Sequence, residues 1–190
     1  MPARIVVTEF VSLDGVMEAP GGDDDFKRGA WTFEYDRGDE GNAFKLEETM
    51  EADALLLGRR TYEGFAAAWP ERDGEFADKF NAMPKFVVST TLKDPEWNNT
   101  TVLAGGDATA EVRRLKDEFD GELQVPGSHR LVQELVASDL VDQVNLMVFP
   151  VILGTGKKAF EEQPERRRMQ LKESKVVGEG IAVMVYERAA

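Results

Sequence analysis

The amino-acid sequence predicts an α/β domain around one mixed sheet, with residues 1–190 forming a single unit. Three observations carry this. Short apolar, β-branched runs alternate with segments of helical periodicity over most of the chain, as strands joined by crossover helices do. The alternation closes on two strand-like runs, 172–177 and 181–187, around Gly178-Glu179-Gly180, a sequence suited to a hairpin turn. Finally, 190 residues with 42% hydrophobic content fill one sizeable core, whereas two would be cramped.

In chain order, residues 5–11 are apolar on both faces except at Thr8 and Glu9 and read as a central strand, followed by a turn at 12–15. Residues 19–25 lack periodicity and read as a loop whose aspartates form a solvated tip, since no ordered metal-ligand spacing accompanies them. Trp31, Phe33 and Tyr35 alternate with polar residues, as a short strand or the aromatic wall of a cleft would. Residues 44–50 read as a helix, 53–57 as the second strand, and 62–69 as a helix that stops before Pro70. Residues 85–89 and 101–103 are the next strands. Asp107 caps an amphipathic helix with Val112, Leu115 and Phe119 on one face and Gly121 beyond its end. Residues 123–125 make a fifth strand, broken by Pro126-Gly127-Ser128 before a helix carrying Leu131, Val132, Leu135 and Val136. Residues 144–153 read as a long apolar strand, and Pro150 places that end at an edge or bulge. Arg166-Arg167-Arg168 reads as a solvated face.

The charge balance excludes several function classes. Twenty-three basic against 36 acidic residues leave a net charge of -13, which repels nucleic-acid backbones and anionic lipid. Neither is expected as a partner. There is no cysteine, so thiolate zinc sites, disulfides and cysteine nucleophiles are out. His129 is the only histidine, and its neighbour Ser128 would point elsewhere on the following helix, which argues against a Ser-His-Asp hydrolase. With no signal-peptide pattern and no apolar run of roughly 20 residues, a cytoplasmic protein is expected.

Parallel strands leave their carboxyl ends open to ligand, and three such ends carry phosphate-binding chemistry. Gly58-Arg59-Arg60-Thr61 follows the second strand, Ser89-Thr90 the third, and Gly127-Ser128 the fifth. Glycine admits a ligand to the backbone, new helices offer free amides, and arginine offers a planar fork. Together they fit a nucleotide lying across the sheet's end. The fingerprint G-x-G-x-x-G is absent, so the arrangement is not the usual Rossmann one.

The motifs Phe10-Val11-Ser12-Leu13-Asp14-Gly15, Leu56-Leu57-Gly58-Arg59-Arg60-Thr61-Tyr62-Glu63, Val87-Val88-Ser89-Thr90 and Gly127-Ser128 with Leu131-Val132-Gln133-Glu134-Leu135 resemble the dihydrofolate-reductase-like superfamily. The branch they resemble includes the reductase domain of the bacterial bifunctional riboflavin-biosynthesis deaminase-reductase, to which residues 140–144 and 149–156 are also similar. The resemblance implies a three-layer fold, a mostly parallel sheet with helices on both faces, and a homodimer, which the apolar run 144–153 also suggests. It also implies NADPH as cofactor. Gly58, Arg59 and Thr61 would hold the pyrophosphate and part of the adenosine end, with Gly127 and Ser128 on its other side. Ser89 and Thr90 would receive the 2′-phosphate, and Val11 and Leu13 would lie near the nicotinamide. His129 stands where a small residue is usual in this branch, and Glu47 and Glu48 lie in the region of the acid that grips a pterin, with no spacing to choose between them.

The expected function is hydride transfer from NADPH to a small heterocyclic or carbonyl substrate, a chemistry in which the cofactor carries the reaction and the protein supplies position and field. Asp14 is the leading proton donor, although Asp14-Gly15 also suits a plain turn. The competing expectation is a nucleotide-binding or interaction module that kept the scaffold without turnover; segment 18–41 reads either as a lid over a substrate or as a docking surface for a partner.

Overall fold

The computed structural model describes residues 2–22 and 25–189. Asp23 and Asp24, part of the predicted 19–25 loop, lie outside the described residues. Strands β1 (Arg4–Ser12), β2 (Ala54–Gly58), β3 (Lys85–Val88), β4 (Thr100–Leu103), β5 (Glu122–Pro126), β6 (Gln143–Phe149), β7 (Met169–Val177) and β8 (Ile181–Arg188) form one sheet in the order β4-β3-β2-β5-β1-β6-β8-β7. The first six pair in parallel, and β8 runs antiparallel to both β6 and β7. This is the mixed, mostly parallel sheet with a closing hairpin that the sequence predicts.

Helices α1 (Gly38–Glu51), α2 (Arg59–Ala68), α3 (Glu75–Ala82), α4 (Ala108–Glu118) and α5 (His129–Ala137) cover both faces. Strand alternation assigns the faces. Ile5, Val7, Leu56, Leu123 and Val125 pack under α4 and α5, against Val112, Leu131 and Leu135. Leu55, Leu57 and Val87 turn the other way, toward Tyr62, Phe80 and Trp97. Beside them Met147, Phe149 and Val183 pack on Phe44 of α1 and on Trp31. Asp107 caps α4 as predicted, accepting the Ala110 amide at 3.0 Å.

Several expectations are corrected. Trp31 begins a one-turn 3-10 helix, Trp31–Glu34, rather than a strand, and its ring is buried in the core while Phe33 is exposed. The run 144–153 is a strand only to Phe149. Pro150 ends it, and the strand is internal, between β1 and β8, so its apolar side chains are consumed within the protomer. Arg167 is not a solvated arginine: it donates to the Ala137 carbonyl at 3.0 Å and pairs with Glu165, tying the segment before β7 to the end of α5. Helix α3 was not anticipated. No helix among the described residues is long and apolar enough to cross a membrane.

Candidate functional site

The site is built from two strand-to-helix turns that touch. β2 and β5 are neighbours, with Ala54 opposite Leu123 and Leu55 opposite Gln124. At their carboxyl ends the Gly58 amide donates to Ser128 Oγ at 2.8 Å. Neither helix has a side-chain cap: the N-cap of α2 is Gly58, which has no side chain, and Ser128, the N-cap of α5, is left-handed with its hydroxyl turned to Gly58. Two helix N-termini, each with unpaired first-turn amides and a partial positive charge of about half a unit, therefore open on one spot. Glycine is required at both turns for different reasons. A methyl group on Gly58 would sit 3.3 Å from Ser128 Cβ and Oγ, whereas Gly127 has φ +81, beside Thr61. Ser128 itself has φ 75, a strained value for a residue with a side chain. Of the predicted residues, Gly58, Thr61, Gly127 and Ser128 are thus brought together.

The flanking cations are engaged. Arg59, at the first position of α2, lies back along the helix in a 2.9 Å ion pair with Glu63, its side chain 42% exposed. An exposed pair of this kind contributes only about 0.3–0.5 kcal/mol, so the guanidinium is readily exchanged to a better anion. His129 Nε2 meets Glu161 Oε1 at 2.9 Å over the start of α5. Ser89 is buried, and its hydroxyl accepts the Thr91 and Leu92 amides at 3.1 and 2.9 Å, so it shapes the turn after β3, where Thr90 and Thr91 are both exposed.

β1 supplies the other wall. It pairs with β5 only as far as Thr8 but with β6 through Ser12, so its last residues present an open strand edge beside the two turns. Thr8 and Phe10 face α1; Val7, Glu9 and Val11 face the α5 side. The Val11 side chain is buried against Met17 and Ala159, whereas Leu13 is 60% exposed. On the α1 side Phe10 lies beneath two cations, with Arg37 Cζ 5.5 Å and Lys45 Nζ 4.9 Å from its ring centroid. Burial lowers the pKa of Arg37, against the opposing effect of Asp36. The helix phase chooses between the two glutamates: Glu47 is exposed, while Glu48 is buried and accepts from Thr8 Oγ1 at 2.9 Å, Asn145 Nδ2 at 3.1 Å and Lys45.

Asp14 is held as a carboxylate near neutral pH. Its carboxylate accepts the Ser12 hydroxyl at 2.7 Å, the Leu153 amide at 3.0 Å and the Gly154 amide at 2.8 Å. The Ser12 hydroxyl foremost, then the Leu153 amide, lowers its pKa to about 2. The residue is an anionic pin joining the turn after β1 to the segment after β6. Asp14→Asn is expected to cost about 1 kcal/mol, the usual worth of partly exposed charge-assisted hydrogen bonds. Because the folded pKa is depressed, the stabilisation is present above the unfolded value near 3.8 and is lost as pH falls through about 2. Urea unfolding of the two proteins should therefore differ near neutral pH and converge in strong acid.

Comparisons with known proteins place the chain in a family and a fold. Residues 3–183 match the RibD C-terminal domain. The chain belongs to that family. Its curated relatives include an uncharacterized Bacillus subtilis (strain 168) protein, YwjB, 28% identical over 190 residues and covering all of both chains. Among solved structures, a putative riboflavin biosynthesis protein from Shewanella sp. PV-4 superposes with a TM-score of 0.74 at 21% identity, covering all of both chains. A dihydrofolate reductase from Enterococcus faecalis, complexed with NADP(H), superposes with a TM-score of 0.59 at 14% identity, over 98% of this chain and 97% of that one. These likenesses show that the chain shares the fold of those proteins. Sequence reasoning did not single out Arg37 and Lys45, which lie over Phe10, or the buried Glu9. For Glu9 the available signal was a carboxylate inside an otherwise apolar strand.

Proposed function

We propose that this protein is an NADPH-dependent reductase acting on a small heterocyclic or carbonyl substrate. The observation that carries the reading is the contact between Gly58 and Ser128, which aims two uncapped helix N-termini at one point. Such a point suits a pyrophosphate and would hold it locally against a net charge of -13. The amides opening α2 and α5, with Thr61, hold the pyrophosphate; Arg59 and the exposed Thr90 hold the 2′-phosphate. The Enterococcus faecalis reductase of the same fold, complexed with NADP(H), supports the choice of dinucleotide.

The bound nicotinamide supplies the hydride, and this chain supplies position and field. The open edge of β1 beyond Thr8 offers backbone groups to an amide-bearing ring, and Leu13 shields that ring from water. The substrate lies on the α1 side, over Phe10, where Arg37 and Lys45 favour a planar molecule rich in acceptor oxygens. The proton comes from water admitted at this mouth, because Asp14 is held as an anion.

Titration of the purified protein with NADPH and NADH, followed by fluorescence, tests the reading. NADPH is expected to bind tighter. Glu63→Gln, which frees the Arg59 guanidinium, is expected to strengthen NADPH binding by about two- to threefold, the scale of one exposed ion pair, and to leave NADH binding unchanged. Binding of neither dinucleotide sinks the proposal. Oxidation of NADPH by ketones, quinones or reduced-pyrimidine precursors then separates a reductase from a binding module.

A further inference from the structure

Beneath the two turns lies a carboxyl group that the proposed chemistry does not use. Glu9 is 5% exposed, and its Oε1 has no hydrogen-bond partner. Strand parity with Val7 and Val11 sends its side chain toward α5 and Ala159. The ladder pairs Thr8 with Pro126, which sets Gly127 beside Glu9, and the Gly127 amide by itself favours the ionised carboxyl, an effect that burial outweighs. The ladder accounts for this placement. Pro126 has no N–H and closes the β1–β5 pairing at Thr8, so the next amide, turned by φ +81 at Gly127, meets a side chain instead of a strand.

The charge state of Glu9 follows from its surroundings. The charged groups acting on Glu9 are Lys45 and Glu48, both across the sheet on α1, opposite in sign and paired with each other. At the start of α5, His129 pairs with Glu161, and neither acts on Glu9. No cation among the described residues forms an ion pair with Glu9. Burial therefore dominates and raises its pKa well above the usual carboxylate range.

Resting on the dinucleotide reading above, we infer that Glu9 is a positioning residue of that site, which holds the Gly127–Ser128 turn through a neutral carboxyl, so that binding of the phosphorylated dinucleotide is linked to a proton on Glu9. An ionised Glu9 would put a negative charge directly under the pyrophosphate, in surroundings that screen it poorly. The dinucleotide consequently favours the protonated form, and its affinity falls once pH passes the titration of the free protein.

The test compares wild type, Glu9→Gln and Glu9→Leu, titrating NADPH between about pH 6 and pH 9 by fluorescence, with calorimetry in two buffers of different ionisation enthalpy to count protons. Wild type is expected to lose affinity by up to about tenfold per pH unit on the alkaline arm, with uptake approaching about one proton per dinucleotide. Glu9→Gln keeps an acceptor for Gly127 but cannot titrate, so it should bind within about threefold of wild type at low pH and lose the slope and the proton. Glu9→Leu should bind about tenfold more weakly at every pH, as expected when the turn loses its partner. In the unliganded wild type, the infrared carbonyl band of a protonated carboxyl should be present, and it should vanish in Glu9→Gln. Identical slopes and proton counts in wild type and Glu9→Gln would overturn this inference while the dinucleotide site stands. Absence of binding by all three proteins at every pH overturns the reductase reading and the inference together.

Discussion

Gly58→Val is expected to lower NADPH affinity by about 100-fold or more, roughly 2.7 kcal/mol, while leaving the fold intact. The backbone there has φ −84 and ψ 161, an extended conformation that valine adopts without strain. The cost arises entirely from space. A Cβ at this position lies 3.3 Å from Ser128 Cβ and Oγ and 4.0 Å from Leu131 Cβ, so the β2 and β5 turns must move apart by a few tenths of an ångström. Two further methyls then cover the gap between the first-turn amides of α2 and α5. Gly58→Ala, with no branch, is expected to cost only about tenfold. Gly64 is the control: it lies within α2 with nothing within 4 Å of an added methyl, so Gly64→Ala should stabilise the helix by about 0.5–1 kcal/mol and leave NADPH binding unchanged. Equal dinucleotide binding by wild type and Gly58→Val would remove the contact between the turns from the site.

That contact was legible only in part before the fold was in hand. Each turn announces itself, because an apolar run that stops at glycine before a helix is a local pattern. Their meeting is tertiary: it depends on β5 entering the sheet beside β2, and no spacing along the chain encodes that adjacency. Helix α3 went unseen for a local reason. Its N-cap is Gly74 with φ 104 and no capping side chain, and its phase is carried by only two aromatics, Phe76 and Phe80, which pack on Trp69. The choice of Glu48 over Glu47 needed the rotation of α1 relative to Thr8. The orientation of Arg59 needed Glu63, four residues on, whose pairing is a helix-surface interaction that a motif match ignores. Glu9 and Val11 required the parity of β1 relative to α5. A one-residue slip in that parity would have sent Thr8 and Phe10 to the α5 side instead.

Trp31→Ala is expected to destabilise the protein by about 3–5 kcal/mol, lowering Tm by roughly 10 °C for a chain of this size. The ring is 1% exposed and meets Phe149 edge-on, with centroids 5.4 Å apart. Its Nε1–H donates to the Glu18 carbonyl at 3.0 Å, which fastens the segment before the 3-10 helix to the core. Phe149 in turn carries Phe10 and Tyr35 on its other edges, at 5.6 and 5.9 Å. The cavity left by Trp31 therefore opens behind the aromatic wall on which the substrate is proposed to lie. Trp31→Phe separates the two contributions: it keeps much of the apolar contact and leaves the Glu18 carbonyl without its donor, at about 1–2 kcal/mol. Phe33, two residues on and 76% exposed, is the contrast, and Phe33→Ala should stay within about 0.5 kcal/mol of wild type. Thermal unfolding of the three variants would expose a reversed order, with Phe33 costly and Trp31 cheap. Such an order would mean that the segment's aromatic face, and not its core-facing ring, holds the mouth in place.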